Sequence, residues 1–147
     1  MGGHMHMTLR GRQRLTDREG KRLKAYLDSK RIPTIGVGHT TAAGAPPVKM
    51  GMTITAQDCD DILARDLGKF EAVLDSALKV PVADHEYDAL LSVMFNVGPK
   101  FATSSAIKRL NAGDRPGCAA AIMMWNKPPE IIGRRHTEQS QFLTPYQ

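Results

Sequence analysis

Pro33-Thr34-Ile35-Gly36-Val37-Gly38-His39-Thr40 is the stretch on which the fold turns. Ile35 and Val37 alternate with Gly36 and Gly38, so the run reads as a short strand lying where another stretch of chain approaches closely. Thr41 to Gly51 follows, rich in Ala, Gly and Pro, and reads as a loop. Upstream, Leu9 to about Asp28 suits one or two short helices. Leu15, Leu23 and Tyr26 give a partial apolar stripe there, interrupted at Gly20. A small, partly β region after a first helix is therefore expected.

Downstream of Thr53 the pattern is helical. Thr55 is a plausible N-cap, with Asp58 three residues on to meet the free amides and the positive helix end. Leu63, Leu67, Phe70, Leu74 and Leu78 recur at steps of four and three. They mark one face of a helix of roughly two dozen residues, ended by Pro81 and long enough to bridge two lobes. Asp84 caps a second helix through Tyr87, Leu90, Leu91, Met94 and Phe95, and Gly98-Pro99 stops it. Ser104 or Ser105 opens a short helix ending near Gly113. Asp114 and Pro116 open another that runs to Trp125, and after Pro128-Pro129 a last helix covers Glu130 to Phe142. The expected class is α+β, mostly α, and bilobed: a small β-containing N-terminal lobe, a long connecting helix and a helical C-terminal lobe. Residues 1–5, Met1-Gly2-Gly3-His4-Met5, read as an expression-vector remnant, which leaves 6–147 as one domain.

Bulk composition narrows the partners. The 147 residues, 41% hydrophobic and 24% charged, are those of an ordinary globular protein with a real core. A net charge of +5 suits either solubility or a polyanionic partner. Aromatic residues are few, the basic ones are scattered and no nucleic-acid motif is present, so a bacterial wall or membrane surface is favoured over nucleic acid. No stretch is apolar enough to span a membrane, and no signal-peptide core is visible. Cys59 and Cys118 lack metal-ligand spacing and read as small buried thiols.

Glu19, Asp28 and Thr34 lie astride a helix end and the glycine-rich strand. Two carboxyls at the mouth of a cleft can divide acid and base work, one kept protonated by burial and the other ionised by solvent and hydrogen bonds. Glycosidic cleavage needs such a pair, since the leaving oxygen must be protonated as water or a carboxylate attacks the anomeric carbon. A hydroxyl such as that of Thr34 can orient the water. From spacing alone, solvated surface charges remain the commoner explanation.

The run Glu19-Gly20-Lys21-Arg22-Leu23-Lys24-Ala25-Tyr26-Leu27-Asp28, with Pro33 to Thr40 after it, closely resembles the signature of phage-type lysozymes, the endolysins of glycoside hydrolase family 24. Later blocks resemble the family in order: Ile54 to Leu67, Asp88 to Ser92, Phe95 to Gly98, Ser104-Ser105, Leu110 to Asp114, Trp125, and Arg134 to Glu138. The resemblance implies a muramidase acting on the bond between N-acetylmuramic acid and N-acetylglucosamine in peptidoglycan. Glu19 would be its acid, Asp28 its base or transition-state stabiliser, and Thr34 the holder of water. Asn96 and the backbone at Gly98 would bind saccharide, with Arg134 and Arg135 on the cleft wall and one of them paired with Glu19.

The resemblance also implies a structural ion pair between His39 and Asp66 in place of catalysis or metal binding. It implies no metal and no organic cofactor, no nucleic-acid partner, no obligatory membrane insertion and a monomer. Such a protein would wait in the host cytoplasm until released to the wall. Trp125, with Ile122, Met123 and Met124, is expected in the core. Arg31 stands where the family often has Gly; a positive φ there would cost on the order of 1 kcal/mol and shift Thr34. The rival functions are a binding module without hydrolysis, a cationic membrane-disrupting protein and a lytic transglycosylase.

Overall fold

The computed structural model describes residues 4–147. Residues 1–3 of the stretch read as a vector remnant lie outside the described residues. The architecture is mostly helical with one small sheet: α1 (Leu9–Glu19), β1 (Arg22–Leu27), β2 (Pro33–Gly36), β3 (His39–Thr40), α2 (Ala56–Ala77), α3 (Asp84–Val97), α4 (Ser105–Asn111), α5 (Arg115–Ile122) and α6 (Ile132–Leu143). The chain forms two compact units, residues 12–68 and residues up to Gly11 together with 69–147.

In the 12–68 unit the sheet is antiparallel in the order β1-β2-β3. Leu27 faces Pro33 and Tyr26 faces Thr34, while Ile35 faces His39 on the other side. Ala25, Ile35 and Val48 form a small core beneath it, with Met52 and Ile54 packed on. Leu15, Leu63 and Leu67 are buried as their periodicity predicts. β1 departs from expectation, because the pattern over Arg22–Leu27 suits a helix. Gly20 takes φ +81° and ends α1, a conformation that only glycine adopts cheaply. Beyond it, every strand needs backbone partners, and β1 finds them on both edges. β2 pairs one side; on the other Ala25 donates to the Met52 carbonyl at 2.9 Å and Ile54 donates to that of Leu23 at 2.8 Å. Leu23, expected on an apolar stripe, is 38% exposed. At the start of α2 the expected cap is formed reciprocally: Asp58 donates its amide to Thr55 Oγ1 and accepts from the Thr55 amide.

The helical unit has Tyr87, Leu90, Leu91, Met94, Phe101, Leu110, Ile122 and Phe142 at its centre. Four boundaries differ from the sequence reading. α2 ends at Ala77, ahead of Pro81, where Asn111 accepts from the Lys79 amide and donates to the Ala77 carbonyl. Ala83, not Asp84, is the N-cap of α3, and its amide is satisfied by the Glu86 carboxylate at 2.9 Å. α5 stops at Ile122, with Met123, Met124 and Trp125 turning on three-residue hydrogen bonds. α6 starts at Ile132 after a single turn of 3-10 helix from Pro129. Met124, expected in the core, is 60% exposed, and Trp125 is half-buried against the edge of Phe101.

Buried carboxylates hold the first residues of this unit. Glu71 accepts from the Met7 amide at 2.8 Å and contacts the His6 ring, which raises the histidine's affinity for a proton. Met5 donates to Asp75, and its carbonyl accepts from the Tyr87 hydroxyl. Asp88 is fully buried and accepts from Thr8 and from the Tyr146 hydroxyl. Burial pushes its carboxyl above the usual range, against those hydrogen bonds. A Cβ at Gly11 would collide with the same carboxyl group, so the close approach requires glycine. Cys59 and Cys118 are both free and buried; burial pushes the Cys118 thiol up to about 12.

Candidate active site

Glu19 is the last residue of α1 and is exposed. The Gly20 amide closes the helix by donating to the Thr16 carbonyl at 2.7 Å. From there the chain enters β1, which delivers Asp28 at the start of the β1–β2 turn.

Asp28 organises that turn. Its Oδ1 accepts from the amides of Lys30 at 2.8 Å and Ile32 at 2.9 Å. Its own amide donates to the Ile32 carbonyl, and its carbonyl accepts from Arg31. The turn places Arg31 at φ +63°, the left-handed conformation its departure from glycine puts at issue. Thr34 is buried in β2, 3% exposed, and its hydroxyl donates to the Ile32 carbonyl at 2.8 Å. Asp28 and Thr34 are thus both fastened to the backbone of Ile32. The Thr34 hydroxyl proton is committed, which leaves its oxygen as an acceptor, while Asp28 keeps Oδ2 outside the turn's bonds. This suits a water held by Thr34 and drawn on by the carboxylate.

His39 is 1% exposed. Its Nδ1 lies 2.7 Å from Asp66 Oδ2 and its Nε2 lies 2.9 Å from the Pro46 carbonyl. Both ring nitrogens are thus engaged by neighbouring side chain and backbone. The pair fastens β3 and the following loop to α2, within the 12–68 unit.

The other expected site residues belong to the helical unit. Asn96 is exposed near the end of α3, and Gly98 takes φ +99° as the chain leaves that helix. Arg134 donates to Glu138 at 3.0 Å and to the Ser92 carbonyl at 3.1 Å. Arg135, expected on a saccharide-binding wall, is 1% exposed. Its guanidinium donates to the Trp125 carbonyl, to Glu138 Oε1 at 2.7 Å and to Asn96 Oδ1. Glu138, fully buried, also accepts from the Ser92 hydroxyl at 2.6 Å. Neither Glu138 nor Ser92 stands out as a site residue from the sequence. The available signal was the four-residue step from Arg134 to Glu138 on one helix face. Lys100 lies 5.5 Å from the centre of the Trp125 ring, so the exposed side of this region carries a cation over an aromatic.

The sequence profile of the family described as Phage lysozyme matches residues 16–138. The endolysin of Salmonella phage P22 is 41% identical over 145 residues, covering 95% of this chain and 99% of its own length. A crystal structure of a P22 lysozyme mutant superposes with a TM-score of 0.89 at 40% identity, covering 95% of this chain and 99% of that one. The endolysin of Escherichia coli O157:H7 phage FAHEc1 gives a TM-score of 0.90 at 39% identity, over 97% of this chain and 96% of that one.

Proposed function

The chain belongs to the phage lysozyme family, glycoside hydrolase family 24, and is a peptidoglycan-degrading lysozyme; we propose that Glu19, Asp28 and Thr34 carry its hydrolysis of the β-1,4 bond between N-acetylmuramic acid and N-acetylglucosamine. Glu19 protonates the leaving glycosidic oxygen. Asp28 takes the proton of the attacking water or stabilises the oxocarbenium-like transition state, and Thr34 holds that water. Asn96 and the backbone around Gly98 meet the saccharide.

The observation that carries this reading is the shared anchoring of Asp28 and Thr34 on Ile32. It fixes one carboxylate oxygen and the hydroxyl proton, and spares one acceptor on each side chain. Such fixed geometry lowers the reorganisation needed as charge develops. The basic balance of the chain supports approach to an anionic wall. The protein waits in the host cytoplasm until the inner membrane is breached, and acts as a monomer without metal or organic cofactor.

The test incubates the purified protein and its Glu19→Gln variant with cell-wall sacculi, following turbidity and new reducing ends together. Clearing with reducing ends from the parent alone supports the proposal. Anhydro-sugar ends from the parent would replace hydrolysis with transglycosylation, and wall binding without cleavage would make the chain a binding module.

A further inference from the structure

We infer that Arg135 decides which end of the Asn96 amide faces outward, and that Asn96 thereby offers an N–H donor to the acetamido carbonyl of a bound glycan. A guanidinium has donors only, so the amide oxygen of Asn96 must face it. Arg135 cannot turn away, because it is 1% exposed and its other nitrogens are engaged by the Trp125 carbonyl and by Glu138. Glu138 is itself fully buried and held by Arg134 and the Ser92 hydroxyl. With Oδ1 committed to Arg135, the Nδ2 group is the end left to the exposed side of Asn96.

This selects a ligand chemistry. A sugar hydroxyl both donates and accepts and pairs with either end of an amide, so it gains nothing from the fixed orientation. An acetamido carbonyl only accepts, and it requires the donor end. Arg135 is therefore a positioning residue for N-acetylated sugar, and it does not itself touch the glycan. The inference rests on the glycan-binding reading of Asn96, and its test is an equilibrium binding measurement made with every protein carrying Glu19→Gln, so that the strands are not cleaved.

The chain has a single tryptophan, Trp125, whose carbonyl shares the same guanidinium, so its fluorescence reports binding at this place. The probes are peptide-free glycan strands from sacculi, native and chemically de-N-acetylated. The parent is expected to bind native strands about 5- to 10-fold more tightly, the value of one well-made hydrogen bond. Asn96→Asp keeps an acceptor on Arg135 but turns a carboxylate oxygen outward. It is expected to reverse the preference, because the exposed ammonium of a de-N-acetylated sugar then meets a carboxylate. Arg135→Lys, which replaces the fork by a point donor, is expected to bring the preference within about twofold. Equal binding of both strands by the parent would overturn the inference, as would an Asn96→Asp protein that still prefers native strands. If Arg135→Lys fails to fold, Asn96→Asp decides alone. Reducing-end release by the protein that keeps Glu19, alongside equal binding, would remove this inference and leave the hydrolase reading intact.

Discussion

Replacing Glu138 with Gln removes one charge at the centre of the most deeply buried ionic cluster in the helical unit. The carboxylate accepts from Arg135 at 2.7 Å, Ser92 at 2.6 Å and Arg134 at 3.0 Å, with no solvent exposure. A glutamine has one acceptor oxygen where Glu138 has two. If that oxygen stays on Arg135, the new NH2 group faces the Arg134 donor; if it turns, it faces Arg135. Either way one charge-assisted hydrogen bond is lost, and Arg135 keeps a positive charge that is 1% exposed without its counter-ion. Breaking a buried pair in this manner costs about 3–5 kcal/mol, a large part of a domain's total stability. For a chain of this length that corresponds to a fall in Tm of about 10 °C. Urea titration followed by far-UV circular dichroism measures the difference directly, provided the transition slope is unchanged. The paired change Arg135→Met with Glu138→Met removes the two most buried charges and is expected to recover part of the loss, since Arg134 loses its Glu138 partner but keeps its bond to the Ser92 carbonyl. A loss below about 1 kcal/mol for Glu138→Gln, the size of an exposed pair, would refute the argument that this cluster works as a desolvated unit.

Asp28→Asn keeps an acceptor for the Lys30 and Ile32 amides, so its stability should stay within about 1 kcal/mol of the parent while reducing-end release falls by at least about 100-fold. Wild-type turnover in that variant would remove Asp28 from the chemistry. Glu86 is partly desolvated, yet the Arg115 hydrogen bond and the Ala83 amide hold its carboxyl below the usual range. A depressed folded value adds stability above the unfolded value of 4.5, and that stability is lost as pH falls through the folded value. Glu86→Gln should therefore be less stable at pH 7 by about 1 kcal/mol, since Arg115 is partly exposed, and the two denaturation midpoints should converge on acidification. Arg31→Gly relieves the left-handed strain at φ +63° but loosens the unfolded chain; the net gain is expected at no more than about 1 kcal/mol. A loss in thermal melts would show that the Arg31 side chain matters more than its backbone.

Where a residue's partners lie within a few positions, its place was legible in the sequence. The step pattern of Leu63, Leu67 and Leu74, the Thr55–Asp58 cap and the stop at Gly98 are all short-range: one turn of helix defines which side chains share a face and which amides need a cap. The run from Glu19 to Thr40 likewise carries its family signature in consecutive residues. Arg22–Leu27 reads as helix because its partners, β2 and the Met52–Ile54 segment, lie outside the run itself, and a strand's preference is set by its cross-strand neighbours and burial more than by its own residues. The same reason hid Arg135. Nothing near it in the chain distinguishes a buried guanidinium from an exposed one; its neighbours Asn96, Trp125 and Glu138 come from α3, the turn after α5, and α6. Local spacing thus determined where helices lie downstream of Thr53 and which of their faces are apolar, and the family resemblance named the candidate acid, base and hydroxyl. Tertiary structure decided which backbone became sheet and which arginine is buried, because each depends on groups that only folding brings into contact.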